Sequence, residues 1–250
     1  MATCGINGGA RKAVPLESAF VWAAMSSFSI TVIIPVLDEA ANLQTMLAAL
    51  KQQAFDSIIV VDGESSDESE AVARRAGTVV IRSARGRGRQ MNVGAAHAST
   101  SVLLFLHADT RLPAGAVALI ERALRDPDVV GGCFRLSFET RSALLRFYGT
   151  MSHFETALTT FGDQAYFVRA AVFKAIGGFP DWPFLEDVQL RRDLRERGSF
   201  VKLPSSVVTS ARRFNGEGTV RRQLLNGLIL LLFHCGISPQ RLARWYRAER

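Results

Sequence analysis

Apolar and polar positions along the first half of the chain predict strands that alternate with helices. Four short apolar runs rich in β-branched residues are typical of buried strands, at Ser29–Val36, Ser57–Asp62, Thr78–Arg82 and Val102–Leu106. After the first run, Leu43, Met46, Leu47 and Leu50 recur at helical spacing. Strands that alternate with helices favour a parallel sheet with right-handed crossovers, so we expect an α/β fold.

Capping and turn residues predict several element boundaries. Ser65 or Ser66 is expected to cap the helix after the second strand, and Pro113 to open the helix after the fourth. After Val129 the pattern changes. It predicts a strand over residues 129–138, a helix over 144–158, a strand and helix over 165–179, a helix beginning beside two acids, and two short strands within 200–213.

The length and the apolar content suit one domain with appendages. Residues 1–27 show no clear pattern and are expected to form a tail, and Met25 offers an alternative start of translation. Residues 28–215 are expected to form the main domain, and residues 216–250 a basic helical extension.

Charge is distributed unevenly along the chain. Residues 189–250 contain 13 Lys and Arg against 4 Asp and Glu, so this quarter carries more than the whole formal net charge of +7. Such a segment suits phosphates, anionic lipid or nucleic acid, but no RNA-recognition signature accompanies it. The apolar stretch 224–237 is too short to span a bilayer and fits either a buried helix or a helix resting on anionic lipid.

Three widely separated cysteines, Cys4, Cys133 and Cys235, exclude a disulfide framework and a zinc site. They suit a reducing compartment, so a cytoplasmic location is expected, with peripheral contact at the inner face of the cell membrane as an extension of it.

Acidic clusters follow the first, second and fourth predicted strands, at residues 35–39, 62–67 and 107–109. The carboxyl ends of parallel strands share one edge of a sheet, where ligands bind. Acids at that edge would repel a phosphate unless a divalent cation intervened, and Asp109 is the best placed ligand for one. The stretch RGRGR at residues 85–89 adds cations beside a predicted helix N-terminus, which is typical of an anion site.

Five segments in this order resemble the family 2 glycosyltransferases with a GT-A fold, over about residues 29–215. They are VIIPVLDEAANL, IIVVDGESSDES, LLFLHADT, GDQAYFVRAAVFKAIGGFP and LEDVQLRRDLRERG. The resemblance implies a GT-A (Rossmann-like), mainly parallel sheet flanked by helices. It also implies a donor that is a nucleotide-diphosphate sugar.

The resemblance further assigns roles to individual residues. The implied nucleotide-sugar contacts are Pro35, Asp38, Glu39, Asp62, Ser65, Asp67, Arg87, Arg89, Asn92, Ala108 and Asp109. Asp109 would bind Mn²⁺ or Mg²⁺. His107 stands where the family's D-x-D motif has its first acid, and a histidine suits Mn²⁺ better than Mg²⁺.

The same resemblance implies an acceptor and catalytic side. Asp187 would be the general base with Glu186 as its neighbour. The residues expected to border the sugar, the acceptor or the diphosphate are Asp163, Gln164, Trp182, Arg212 and Arg213. Two roles are equally expected for Trp182, which could stack on a sugar ring or fill space in the core.

The leading hypothesis is therefore an inverting glycosyltransferase acting on a small-molecule or lipid acceptor. A sugar nucleotidyltransferase is a second hypothesis. Such an enzyme would need a Gly-rich loop with Arg or Lys directly after the first strand, and the stretch PVLDEAANL offers none. A non-enzymatic module that binds RNA or membrane through the basic quarter is a third.

Overall fold

The computed structural model describes residues 28–140, 142–157, 159–210 and 219–244. The strands are β1 (Ile30–Val36), β2 (Ser57–Asp62), β3 (Val79–Arg82), β4 (Val102–Phe105), β5 (Thr110–Arg111), β6 (Val129–Phe138), β7 (Tyr166–Arg169) and β8 (Ser199–Thr209). The α-helices are α1 (Ala40–Leu50), α2 (Ser69–Arg75), α3 (Arg87–His97), α4 (Ala116–Leu124), α5 (Ala143–Met151), α6 (Ala170–Ala175), α7 (Glu186–Arg195), α8 (Thr219–His234) and α9 (Pro239–Leu242). A 3₁₀ turn spans Gly162–Gln164.

All eight strands join one mixed sheet in the order β3-β2-β1-β4-β7-β6-β8-β5. The four strands predicted from the first half of the chain pair in parallel, as expected. Strand β7 is antiparallel to both of its neighbours, β8 is parallel to β6, and β5 is antiparallel to β8. The predicted α/β class is confirmed, and the parallel half brings the ends of β1, β2 and β4 to one edge.

Both faces of the parallel half are buried. Alternate β1 residues such as Ile30 and Val32 pack with Leu43 and Leu47 of α1. Ile33, between them in the strand, belongs to a second core that includes Met91 of α3. Burial on both faces explains why β1 is a continuous apolar run rather than an alternating one.

Three boundary predictions are wrong. Helix α2 begins at Ser69, so neither Ser65 nor Ser66 caps it. Helix α4 begins at Ala116 after Gly115, whose φ of 71° lies in the left-handed region, and Pro113 precedes that turn. The helix predicted over 144–158 ends at Met151.

The predicted pair of strands within 200–213 is also wrong, because β8 is one strand of 11 residues. Its pairing with β6 jumps between Cys133↔Lys202 and Arg135↔Ser206, and Pro204 lies inside that jump. A proline is tolerated there because the irregularity needs no backbone donor at that position. The Pro204 carbonyl instead accepts a hydrogen bond from Arg135 Nη1 at 3.1 Å.

Helices α8 and α9 lie within the predicted helical extension. Among the described residues, no helix is both long enough and apolar enough to cross a membrane.

Candidate functional site

The carboxyl end of β2 places a buried carboxylate at the sheet edge. Asp62 is 3 % exposed, and its Oδ2 accepts a hydrogen bond from the Ser65 N–H at 3.1 Å. Its Oδ1 is buried and has no hydrogen-bond partner in the described part of the chain. An unpaired buried oxygen is costly, and a ligand donor would relieve that cost.

The loops after β1 and β2 are tied together by their polar side chains. Asp38 Oδ1 accepts hydrogen bonds from the Ser66 N–H at 2.7 Å and the Ser66 hydroxyl at 3.0 Å. The backbone and hydroxyl donors of Ser66 hold the pKa of Asp38 below its usual range. Asp67 accepts from the Ala40 N–H at 3.0 Å, and the Ser65 hydroxyl accepts from the Asp38 N–H at 3.0 Å. These predicted nucleotide contacts therefore shape the two loops, and their contact with a nucleotide stays a prediction.

Two further predicted contacts lie on the β1 side of this edge. Pro35 is half-buried in β1. Glu39 is half-buried just before α1, and its Oε2 accepts a hydrogen bond from Asn42 Nδ2 at 2.6 Å. Both positions are partly exposed to solvent, and their contact with a nucleotide stays a prediction.

The basic stretch runs into helix α3, which begins at Arg87. Gly86, with φ of 135°, precedes the first turn of α3, and Arg87 and Arg89 lie in that turn. Arg87 is half-buried, whereas exposed Arg89 pairs with Asp181 at 2.8 Å. This turn places positive charge beside backbone N–H groups, which is favourable for an anion.

Asn92, one turn further along α3, anchors the chain that leads to α7. Its Nδ2 donates to the Phe179 carbonyl at 2.8 Å, and its Oδ1 accepts from the Phe179 N–H at 2.9 Å. Gly88 packs equally closely, because a Cβ added there would lie 3.1 Å from the Pro180 carbonyl. The Asn92 side chain thus fixes the backbone at Phe179 to α3. Its contact with the base or diphosphate stays a prediction.

Gln90 is a residue that the sequence analysis missed. Its Nε2 donates to the carbonyls of Val36 at 2.9 Å and Val61 at 2.8 Å, so it joins the ends of β1 and β2. The sequence offered one signal for this role, because Gln90 is a polar residue on the helix face that also carries the buried Met91 and Gly94.

On the other side of the edge, Asp109 and Asp187 both lie within electrostatic range of Asp163. Asp163 is half-buried, and its Oδ1, which is shielded from solvent, has no hydrogen-bond partner within the described ranges. Burial raises the pKa of Asp163 to about 7, and the charges of Asp187 and Asp109 add to that rise while Arg87 and Lys202 oppose it. Asp109 follows β4, Asp163 precedes β7 and Asp187 opens α7, so the fold gathers them from distant parts of the chain.

Asp187 is held by the turn that carries Asp163. The Gly162 N–H donates to Asp187 Oδ2 at 2.5 Å. A Cβ at Gly162 would lie 3.0 Å from the Asp187 Cβ, so this close approach favours glycine. Glu186 is 3 % exposed, and Asp187 is half-buried.

Backbone strain is concentrated in the loops around these groups. The described residues other than glycine with positive φ are Asp38, Glu64, Ala165 and Leu185. Each lies within two residues of a predicted site residue, and Leu185 directly precedes Glu186. Strained backbone of this kind often accompanies functional sites.

The remaining acceptor-side predictions have mixed outcomes. Gln164 is buried, and its Nε2 donates to the Thr159 carbonyl at 2.7 Å. Trp182 is half-buried and packs edge-to-face on Phe233 of α8, with 5.8 Å between the ring centroids. Arg212 and Arg213 lie outside the described residues.

The metal prediction can be compared with the side chains present. In the described part of the chain, no three His, Cys, Asp or Glu side chains are grouped so that they could hold a metal ion. Asp109 and His107, both half-buried, are the predicted ligands. One carboxylate fits Mg²⁺ or Mn²⁺ when substrate phosphates complete the coordination, which is the usual arrangement for Mg²⁺ with nucleotides.

A cleft of about 530 Å³ borders Asp109. It lies between α1 and the β5–β8 pair, and its lining includes Asn42, Thr45 and Glu139. Polar side chains of α1 and of the residue that follows β6 therefore line open space beside the predicted metal ligand.

Replacing Asp163 by asparagine is expected to change how stability depends on pH. The pKa of this carboxyl is about 7 in the folded protein against a normal value of 3.8. Between those values the folded protein keeps a proton that the unfolded chain has released, so the free energy of unfolding falls as pH rises. Asp163→Asn removes this loss, and its melting temperature should rise relative to wild type between about pH 4 and pH 7. Asp128→Asn, at an exposed position, serves as the control. If the melting temperatures of Asp163→Asn and wild type differed by the same amount at every pH in that range, the expectation would be contradicted.

Comparison with known proteins places this site in a wider context. Residues 31–171, more than half of the chain, match the family model described as glycosyl transferase family 2. Uncharacterized glycosyltransferases of Mycobacterium bovis and Mycobacterium tuberculosis are each 32 % identical over 110 residues. That stretch is 43 % of this chain, and the chain spans about half the length of these relatives, 50 % in each case.

Solved structures extend the likeness to the fold. Glucosyl-3-phosphoglycerate synthase from Mycobacterium tuberculosis, in complex with Mn²⁺, UDP and phosphoglyceric acid, is similar with a TM-score of 0.61 at 18 % identity, over 84 % of this chain and 80 % of that one. TarS from S. aureus, in complex with UDP-GlcNAc, has a TM-score of 0.59 at 16 % identity, over 73 % and 58 % of the two chains. These likenesses support the GT-A-like fold that the sequence motifs predicted.

Proposed function

Because the chain belongs to glycosyl transferase family 2, we propose that it transfers a sugar from a nucleotide-diphosphate donor to a hydroxyl group of a small-molecule or lipid acceptor. The observation that carries this proposal is that Asp109, Asp187 and Arg87, from distant parts of the chain, all lie within electrostatic range of Asp163. Structural neighbours that bind UDP or UDP-GlcNAc support a nucleotide donor.

The donor would lie across the ends of β1, β2 and β4. The unpaired Asp62 Oδ1 would accept a hydrogen bond from the base or ribose. Arg87, in the first turn of α3, would face the diphosphate. Asp109, with His107 nearby, would hold a divalent cation, which offsets the charge of the diphosphate when it is bound.

Asp187 would act as the general base of an inverting reaction. With Oδ2 fixed by the Gly162 N–H, its other oxygen can accept the proton of the acceptor hydroxyl. The acceptor oxygen then bonds to the anomeric carbon as the bond to the diphosphate breaks. The nucleoside diphosphate leaves with the developing negative charge, which positive groups such as Arg87 would stabilise.

The structure disfavours a sugar nucleotidyltransferase as an alternative. A nucleotidyltransferase would need glycines and basic residues in a phosphate-binding loop after β1. In this chain, residues 37–39 are Leu, Asp and Glu. Asp67 and Ser69 also hold this loop by its backbone, at Ala40 and Glu39.

The proposed activity can be tested by measuring thermal stabilisation of the purified protein with a panel of nucleotide sugars, with and without Mn²⁺. We expect one donor class to raise the melting temperature, because binding to the folded state stabilises it. That donor should then be hydrolysed or transferred in an assay. Absence of stabilisation and of turnover across the panel would contradict the proposal.

Peripheral membrane contact is a second part of the proposal, and it rests on α8. Leu225, Leu228 and Leu231 recur every three residues of this helix and are 37 %, 51 % and 60 % exposed. Exposed Arg241 and Arg244 follow in the same basic quarter of the chain. An exposed apolar stripe in a basic part of the chain fits an anionic lipid surface, at the cytoplasmic face of the cell membrane.

Replacing Leu228 and Leu231 together by glutamate should reduce binding to vesicles of phosphatidylcholine and phosphatidylglycerol at least about tenfold, because it removes apolar contact and adds repulsion. Flotation of the full chain measures this binding. Val79→Glu is the matched control, since Val79 is 50 % exposed on the edge strand β3. Equal flotation of wild type and the double variant would reject the leucine stripe as the contact, and formation of a dimer by wild type would assign it to a second copy.

A further inference from the structure

The segment that joins α5 to β7 carries Asp163 and Gly162 but contains little regular structure. We refer to its described residues, 152–157 and 159–164, as the acceptor segment. Besides the 3₁₀ turn at Gly162–Gln164, it consists of turns and irregular chain. Its position relative to Asp187 must therefore be set by contacts from other elements.

The largest of these contacts comes from a lysine in β8. Lys202 Nζ donates to the carbonyls of Ser152 at 2.8 Å, Phe154 at 3.0 Å and Thr159 at 3.1 Å. It also donates to the Thr160 hydroxyl at 2.8 Å. An ammonium group has three protons, so four oxygens at these distances use its full capacity and draw both ends of the irregular stretch to one point.

A second contact ties the same segment to α7. Glu155 Oε1 accepts from Arg191 Nε at 2.6 Å, and its other oxygen pairs with Arg195. The Arg191 side chain is 8 % exposed and that of Glu155 is 19 % exposed, so this ion pair is largely removed from water. Helix α7 begins with Glu186 and Asp187, and it is thus joined to the acceptor segment at Glu155 as well as at Gly162.

We propose that Lys202 is a positioning residue for sugar transfer: by gathering the acceptor segment against β8, it sets the distance between Asp163, Gly162 and the general base Asp187. This inference rests on the proposed function. The donor-side groups Asp62 and Arg87 lie on β2 and α3, which do not contribute an acceptor to Lys202. Loss of the lysine should therefore impair transfer more than donor binding.

Lys202→Met tests this, because methionine keeps much of the apolar stem and removes the ammonium group. We expect kcat/KM for the acceptor to fall about 10²-fold, as displacement of a reacting group by about 1 Å does. Donor affinity, measured by calorimetry, should stay within about threefold. Amide hydrogen exchange should accelerate in the acceptor segment and remain unchanged in β1, β2 and α3. Lys174→Met, at an exposed position of α6, should change none of these.

Glu155→Gln provides a second variant if Lys202→Met does not fold. It weakens the tie to α7 while leaving Lys202 in place, and it should show the same separation between transfer and donor binding. Equal losses of donor affinity and transfer, with faster exchange throughout the sheet, would overturn the proposal in favour of a general structural role. Unchanged exchange in the acceptor segment would overturn it as well.

The two proposals can fail separately. If wild type neither binds nor turns over any donor, the proposed function fails. The exchange measurement on Lys202→Met then still decides whether the lysine fixes this segment.

Discussion

Asp187→Asn is expected to lower the rate of sugar transfer by about 10²- to 10⁴-fold, the range that general base catalysis contributes. The asparagine side chain keeps the shape of the carboxylate and can still accept the Gly162 N–H, but it cannot take the proton of the acceptor hydroxyl. The donor should bind as in wild type, so the loss should appear in kcat. Steady-state kinetics with calorimetric donor titration separates the two quantities.

Asp193→Asn is the matched control for this change, because Asp193 lies on the same helix and accepts a hydrogen bond from Gln189. It should keep activity within about twofold, as substitutions away from a site usually have small effects. Transfer by Asp187→Asn at a rate near that of wild type would exclude Asp187 as the base. Asp163, the carboxylate near Asp187 that is not assigned to the cation, would then be the group to test.

Asp109→Asn should have the second largest effect, lowering turnover by about 10²-fold or more, because a neutral amide is a poor ligand for a hard divalent cation. The stabilisation of the protein by donor together with Mn²⁺ should shrink to the value seen with donor alone. Comparing melting temperatures across a Mn²⁺ titration, with donor present throughout, measures this directly.

The control for this experiment is Asp128→Asn, which changes an exposed carboxylate before β6. An undiminished Mn²⁺ response in Asp109→Asn would remove this residue from the metal site. A wild-type protein that is fully active in the presence of a strong chelator would argue that the cation is not required at all.

The parallel half of the sheet could be predicted from the sequence because its signal is local. A strand buried on both faces, such as β1, must be apolar along its whole length, and residues 57–62 formed a strand with the predicted bounds. The sequence also marks the polar residues after these strands as candidates, because ligands of parallel sheets bind at the carboxyl ends of the strands. Their role as binding groups stays a prediction.

The contacts of these polar residues could not be predicted, because their partners are distant in sequence. Ser66 binds Asp38 instead of capping α2, and the two residues are 28 positions apart. Lys202 reaches oxygens that lie 42 to 50 residues earlier. Only the fold determines such pairs, and a lysine in a strand otherwise suggests a solvated side chain.

The short loop before α7 affects how the role of the C-terminal helix can be studied. Asp181 of this loop pairs with Arg89 in the first turn of α3, and Trp182 packs on Phe233 of α8. Deleting the chain from residue 219 onward would remove the Phe233 ring from Trp182, which lies three residues before Leu185 and four before Glu186. Poor turnover of such a truncated protein would therefore say nothing about lipid attachment. Point substitutions of the exposed Leu228 and Leu231 leave Phe233 in contact with Trp182. They therefore separate an effect on membrane binding from an effect on sugar transfer.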